Sequence, residues 1–321
     1  MKARKLVSAI LISSLALSLL GGCTQKEPES EKYKVGVCQL TGHNALDQAT
    51  LGFVDALNEK LGDRVEIEVF VGDGSEEKCK EIVDGFVDEN VDLIMANATP
   101  ALIAATEATG TIPIVATSIT SYGTALGIRK WSGITGLNVT GTSDLAPIDQ
   151  QEKIIFEIAP DAKKVGIIFC QYEGNSVYQA DAMGKAISAD GKSYNAYPIK
   201  KESDLEEMAR IAASECDVIY LPTDNTLAAN AEKLRDIFIE AGVPAVAGEE
   251  GICVAGVATL SINYYNIGYN AGLMAVEILE NDAEVGLMEI RYADEFVKKY
   301  NEENAKTLGI KIPEDYTKIE Y

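Results

Sequence analysis

The sequence predicts an α/β protein of two similar lobes, each a doubly wound parallel sheet, with a ligand cleft between them. Three observations carry this. First, short apolar runs rich in β-branched residues alternate with helical patterns along the chain, as in a parallel sheet covered by helices. Second, the pattern restarts. Lys34-Val35-Gly36-Val37-Cys38-Gln39 is echoed from Lys164 to Gln171, Val91-Asp92-Leu93-Ile94 by Cys216-Asp217-Val218-Ile219, and Ile112-Pro113-Ile114-Val115-Ala116 by Val243-Pro244-Ala245-Val246-Ala247. The offsets are about 130, 125 and 131 residues in one order, far longer than a solenoid period. Third, each half places polar turns after its strands, at the sheet edge where α/β proteins bind ligands.

The first half opens with a strand at 34–39 and a turn at 40–44. Leu46, Phe53, Val54, Leu57 and Leu61 then space a helix over about 45–61. Val65 to Val71 alternates glutamate with apolar residues, a strand with one more exposed face. Cys79, Ile82, Val83, Phe86 and Val87 form the stripe of an amphipathic helix. A strand at 93–96, a helix from about Pro100 and a strand at 112–116 complete this half. The second lobe starts near residue 145. It shows a strand from Lys164, a helix from about Asn175, a capping box at Ser203-Asp204-Leu205-Glu206, and the buried strand Val218-Ile219-Tyr220-Leu221. A helix over 230–241 follows, closed by Gly242. Beyond residue 247 the pattern gives a strand within 254–260, a helix over 264–280, a short strand at 288–291 and a helical tail over 295–308.

The formal net charge is −22 over 321 residues. So acidic a surface repels phosphate backbones and argues against nucleic-acid binding. Met1-Lys2-Ala3-Arg4-Lys5, the apolar run from Leu6 to Leu20, and Gly21-Gly22-Cys23 follow the order of a bacterial lipoprotein signal. The expectation is therefore a signal peptide at 1–22, lipidation at Cys23, and a polar stalk over 23–32. Two or more acyl chains would anchor the chain stably to the cell membrane. The remaining five cysteines are scattered and odd in number, so they form neither a disulfide framework nor a zinc site.

Catalytic patterns are missing. The chain holds one histidine, His43, and lacks G-x-S-x-G, H-E-x-x-H, G-x-G-x-x-G and the phosphate loop. We therefore expect no enzyme, no cofactor and no metal. The polar turns point to binding instead. In the first half these are 39–45, 97–100 and 117–122, bringing Gln39, Asn44, Ala98, Thr99, Ser118 and Tyr122. In the second they are 171–176, 222–226 and 248–251, bringing Tyr172, Glu173, Asn175, Ser176, Asp224, Asn225 and Glu249. Only the second set is charged. Such a cleft suits a small cation or zwitterion, its ammonium on carboxylates and its carboxylate on hydroxyls and helix N-termini. Asp224 can cap the following helix, touch the ligand, or do both with one oxygen each. Thr99 reads equally as the N-cap before Pro100 or as a ligand contact.

Several stretches together resemble the substrate-binding lipoproteins of ABC importers. They are Cys38-Gln39, His43-Asn44-Ala45-Leu46-Asp47, Gly52-Phe53, Ala98-Thr99-Pro100-Ala101, Asn138 to Asp144, Asn175-Ser176, Pro222 to Thr226, Tyr264 to Gly268, and Asn301 to Pro313. The resemblance runs from about Val35 to Pro313. It implies a type I periplasmic-binding-protein architecture with three crossovers, so that lobe 1 takes 33–144 plus about 255–284 and lobe 2 takes 145–254 plus about 285–321. It also implies an extracytoplasmic, membrane-anchored monomer. Such a receptor closes on an amino acid, aromatic as in several family members (tryptophan, tyrosine or phenylalanine), and hands it to permease subunits. Ligand contacts carry over to Thr99, Asn175, Ser176, Asp224 and Glu249. Asn44 stands where the family usually has proline, and Ser121-Tyr122 where Asp-Pro is common, which places a tyrosine in one pocket wall. A sensing module, or a sugar or nucleoside binder, is the alternative on the same fold.

Overall fold

A computed structural model describes residues 32–320; the expected signal peptide, the expected lipidation site Cys23 and nearly all of the expected stalk lie outside them. Two sheets form the frame. The first half of the chain contributes β1 (Tyr33–Gln39), α1 (Asn44–Leu61), β2 (Val65–Val71), α2 (Glu76–Asp88), β3 (Leu93–Asn97), α3 (Thr99–Ala108), β4 (Ile114–Thr117), α4 (Tyr122–Ala125) and β5 (Val139–Ser143). The second contributes α5 (Ile148–Ile158), β6 (Lys164–Cys170), α6 (Gly174–Ala189), β7 (Ser193–Ile199), α7 (Leu205–Glu215), β8 (Val218–Leu221), α8 (Asn225–Ala229), α9 (Ala231–Ala241), β9 (Ala245–Ala247) and β10 (Ala258–Ser261). The end of the chain adds α10 (Tyr264–Asn281), β11 (Arg291–Tyr292), β12 (Val297–Tyr300), α11 (Glu302–Thr307) and β13 (Thr317–Lys318).

Lobe 1 is the sheet β11-β5-β4-β3-β1-β2, parallel throughout. Lobe 2 is β13-β12-β10-β9-β8-β6-β7, parallel except where β12 runs against β10. Both faces of each sheet are covered, as near-continuous apolar strands require. Side chains alternate with period two. Val35, Val37, Leu93 and Met95 meet α1 and α10, while Cys38, Ile94 and Ala96 meet α2 and α3. In lobe 2, Val165, Ile167, Val218 and Tyr220 face α5 and α6, while Ile168, Ile219 and Leu221 face α7 and α9. Among the described residues Cys38, Cys79, Cys170, Cys216 and Cys253 are all buried, filling core space as small apolar side chains.

The chain crosses between sheets three times, after β5, after β10 and after β11. This corrects the expected lobe boundaries. β10 pairs with β9, so 258–261 belongs to the second sheet, and β11 pairs with β5, so 291–292 belongs to the first. The return segment of lobe 1 is thus α10 through β11. Its apolar side, including Ala271, Met274 and Ile278, packs with Phe53 and Leu57 of α1. Three local expectations also change. Residues 297–300 form a strand, because β10 offers a free edge and the tail pairs with it. The capping box at Ser203 does not form. Residues 202–204 make a 3-10 turn, which denies Ser203 the extended backbone of a cap. Thr99 is the first residue of α3 and Ala98 is its N-cap.

Candidate functional site

The carboxyl ends of both sheets face one another across a narrow cleft. Ala98 and Ser118, after β3 and β4, hold positive φ angles of 88° and 56°. Backbone strain of this kind costs on the order of 1–3 kcal/mol and gathers at functional sites. Here it turns α3 and the β4–α4 segment toward the other lobe. Ala98 has no side-chain oxygen, so the first turn of α3 lacks a side-chain cap. Its positive dipole end therefore faces the cleft unneutralised. Thr99 and Ser118 line the cavity beside it. The Ser118 hydroxyl is buried with no hydrogen-bond partner.

The opposite wall carries the charge. Asp224 caps α8, its Oδ1 accepting from the Leu227 N–H at 2.9 Å and its Oδ2 from the Cys170 N–H at 2.8 Å and from the Ser176 hydroxyl. Glu173 accepts from the N–H groups of Asn225 and Thr226, both at 2.9 Å, and from their side chains. Glu249 accepts from the N–H groups of Gly251 and Ile252, both at 2.6 Å. Asp144, at the first crossover, takes its side-chain donors from hydroxyls, Thr120 at 2.9 Å and Tyr264 at 3.2 Å, and is also held by its own backbone N–H. Burial raises the carboxyl of Asp144 to about 6, with Glu249 adding to the rise. It raises Asp224 to about 7, with Glu173 adding. Burial also raises Glu249, against the pull of His43. Asp144, Asp224 and Glu249 line one cavity. Desolvated carboxylates so placed favour a cation. Cys170, Glu173 and Asp224 also bring ligating atoms within 4.8 Å of one another. Glu173 is filled by its four donors from Asn225 and Thr226 and Asp224 already accepts three, so this cluster braces two turns.

The cleft is shut. His43 Nε2 lies 3.4 Å from Asn225 Oδ1 across it, and the Gln179 amide reaches Thr120 Oγ1 at 3.3 Å. The enclosed space is about 20 Å³, little more than one water. Thr99, Ser118, Asn175, Asp224, Asn225 and Glu249 meet there. Glu173 and Tyr172 line an adjoining cavity, and Ser176 sits behind Asp224. Others stand elsewhere. Gln39 ties the β1–α1 turn to Thr41, Asp47 and Thr50, and Asn44 lines a groove on the hinge side. Tyr122 points into lobe 1 rather than into the pocket wall. Its hydroxyl donates to the Ala116 and Thr142 carbonyls at 2.9 and 3.0 Å, and its ring stacks on Trp131. The peptide groups of β4 and β5 are closer partners for that phenol than the cleft.

Sequence reasoning misses Asp144 as a lining residue; it leaves Tyr264 between a pocket wall and packing at a lobe edge, and reads His43 as a turn residue, and all three line the cavity. Asp144 and Tyr264 stand in quoted motifs, yet only the crossovers bring them to the cavity. Asn175 Oδ1 is a further buried acceptor without a partner, its amide N–H₂ held by the Thr223 carbonyl at 2.9 Å.

Comparison with known proteins agrees with this architecture. Residues 34–319 match the family of ABC transporter substrate binding proteins. A tyrosine-binding protein of Clostridioides difficile is 32% identical, over 96% of this chain and 93% of its own length. A Streptococcus domain solved with L-tryptophan is 26% identical, with a TM-score of 0.83 over 88% of this chain and 97% of its own. A ligand-free, open substrate-binding protein with adhesive properties from Clostridium difficile is 31% identical, with a TM-score of 0.71 over 89% of this chain and 99% of its own. The TM-score is lower against the open protein than against the tryptophan complex, although the open protein is nearer in sequence. Among the described residues no helix is long and apolar enough to cross a membrane. With two α/β lobes of type I periplasmic-binding-protein architecture and a family match across both, the chain belongs to the ABC transporter substrate-binding proteins.

Proposed function

We propose that this protein captures a single aromatic amino acid outside the cytoplasm, tyrosine being the first candidate, and presents it to the permease of an importer. The observation that carries the reading is the polarity of the shut cavity. Lobe 1 offers the uncapped start of α3 and the unpartnered Ser118 hydroxyl, which suit a carboxylate. The hinge and lobe 2 offer Asp144, Asp224 and the free Asn175 Oδ1, which suit an ammonium. A zwitterion joins the two. The Clostridioides difficile relative is named for tyrosine, and the Streptococcus domain was solved with tryptophan.

Hinge closure follows from the same geometry. A ligand bound by lobe 1 alone gains little, whereas one held by both lobes neutralises carboxylates that burial would otherwise leave uncompensated. Asp144 accepts from two hydroxyls and its own backbone N–H, and a carboxylate has room for about four donors. It is therefore the most available ammonium partner. Glu173 and Glu249 are committed to backbone N–H groups. Anchoring through Cys23 would keep the receptor beside its permease.

The test is thermal unfolding and calorimetric titration of the mature chain with each amino acid. Tyrosine at 100-fold over its Kd should stabilise the protein by about 2.7 kcal/mol. No response to any amino acid sinks the proposal. Cys23→Ala should release the protein from the membrane fraction, and retention there would remove the lipid anchor from the account.

A further inference from the structure

The main cavity presents the polar groups for the two ends of an amino acid but, at about 20 Å³, has no room for its side chain. Thr99 and Asn175 form one of its boundaries, and both also line a second cavity of about 130 Å³. Pro100 and Ile103 of α3 and Ala125 of α4 supply an apolar wall from lobe 1, and Tyr172 supplies one from lobe 2. Ser121 and Glu76 add polar groups. Ile103 is 37% and Tyr172 46% exposed, so both keep apolar surface open to this cavity. Asn175 is only 8% exposed and stands at the junction of the two cavities with an unpartnered Oδ1.

We propose that this second cavity is the side-chain compartment, and that it takes an aromatic ring bearing a hydroxyl group. The inference rests on the amino-acid reading of the main cavity and adds a direction and a selectivity to it. The ring would lie between Pro100 and Ile103 on one side and Tyr172 on the other. Ring-to-ring and ring-to-aliphatic contacts of this kind suit an aromatic group. The hydroxyl would donate to the Glu76 carboxylate or the Ser121 oxygen, a bond phenylalanine cannot make. Because the walls come from both lobes, the compartment exists only when the cleft shuts. Side-chain selection is then part of closure.

Calorimetric titration of the mature chain with tyrosine, phenylalanine and tryptophan tests this, using the parent, Ile103→Trp, Ile103→Ala and Glu76→Gln. Ile103 is on a half-exposed helix face, so neither substitution burdens the core. The parent should prefer tyrosine to phenylalanine by about tenfold or more. Ile103→Trp fills the compartment and should weaken tyrosine at least about tenfold. Ile103→Ala enlarges it and should move the preference toward tryptophan. Glu76→Gln should narrow the gap between tyrosine and phenylalanine. Tyrosine binding unchanged in Ile103→Trp, with the preference unmoved in Ile103→Ala, overturns the compartment. A parent that binds none of the three overturns the amino-acid reading beneath it.

Discussion

At the scale of single residues, the two cavity-lining aspartates differ in what they can give up. Asp224 has one oxygen on the cap of α8 and the other on the Cys170 N–H and the Ser176 hydroxyl. An Asp224→Asn amide would turn a donor toward a donor. The side chains that meet Asp144 offer hydroxyls, which rotate, so Asp144→Asn should fit its place. Its carboxyl is raised from 3.8 to about 6, so the folded state holds the proton more tightly than the unfolded one. The stability it contributes is full below about pH 4 and is lost as pH rises through 6. Asp144→Asn removes that loss. The ligand-free variant should gain roughly 1–3 kcal/mol at pH 8, by denaturant unfolding, while its amino-acid affinity falls. A variant that neither gains stability nor loses affinity would show Asp144 to be a spectator. In the parent, affinity should fall as pH drops through the window of about 7 to 6, where Asp224 and Asp144 protonate in the free protein. Calorimetry in buffers of different ionisation heat would register the released protons.

At the scale of elements, the contact between α1 and α10 sets where the third segment of the chain belongs. A Cβ at Gly268 would stand 1.9 Å from the Ala49 carbonyl oxygen, a backbone atom that cannot step aside. The two helices touch along that line because nothing larger than hydrogen intervenes. Gly268→Ala should push them apart and destabilise the protein by about 1–3 kcal/mol or more, seen as a lower urea midpoint. An unchanged midpoint would mean that α10 can slide. Most elements were legible from periodicity. β2 at 65–71 and the stop of α9 at Gly242, whose φ is 69°, follow their sequence patterns. The strand at 297–300 was not legible. Glu295 to Leu308 reads as helix locally, and only the free edge of β10 converts part of it to strand.

At the scale of the whole molecule, a buried polar chain ties the lobes together. Tyr220 donates to Gln151 and to Gln179 Oε1, Gln179 Nε2 reaches Thr120 Oγ1, Thr120 donates to Asp144, and Tyr264 donates to the same carboxylate. It runs from the core of lobe 2 through lobe 1 to two crossovers. Each buried neutral bond is worth about 1 kcal/mol net. Gln179→Ala, losing its links to Thr120, Tyr220 and the Thr223 N–H, should bias the molecule toward opening. Ligand dissociation should quicken by roughly 5–30-fold in stopped-flow measurements, with association little changed. An unaltered off-rate would place the closing force elsewhere in the cleft.

The sequence by itself determined the two-lobed α/β frame, the polar turns at its sheet edges and the acidic character of one side. Those properties are local: period-two and period-3.6 patterns, repeated once, suffice for them. It also placed Thr99, Asn175, Asp224 and Glu249 among the candidates, because each follows a strand. The tertiary structure alone decided which sheet β10 and β11 join, that Tyr122 serves lobe 1, and that Asp144 and Tyr264 reach the cavity. Pairing across more than a hundred residues depends on which strand edges stay free and on where the chain crosses, and no local pattern encodes either.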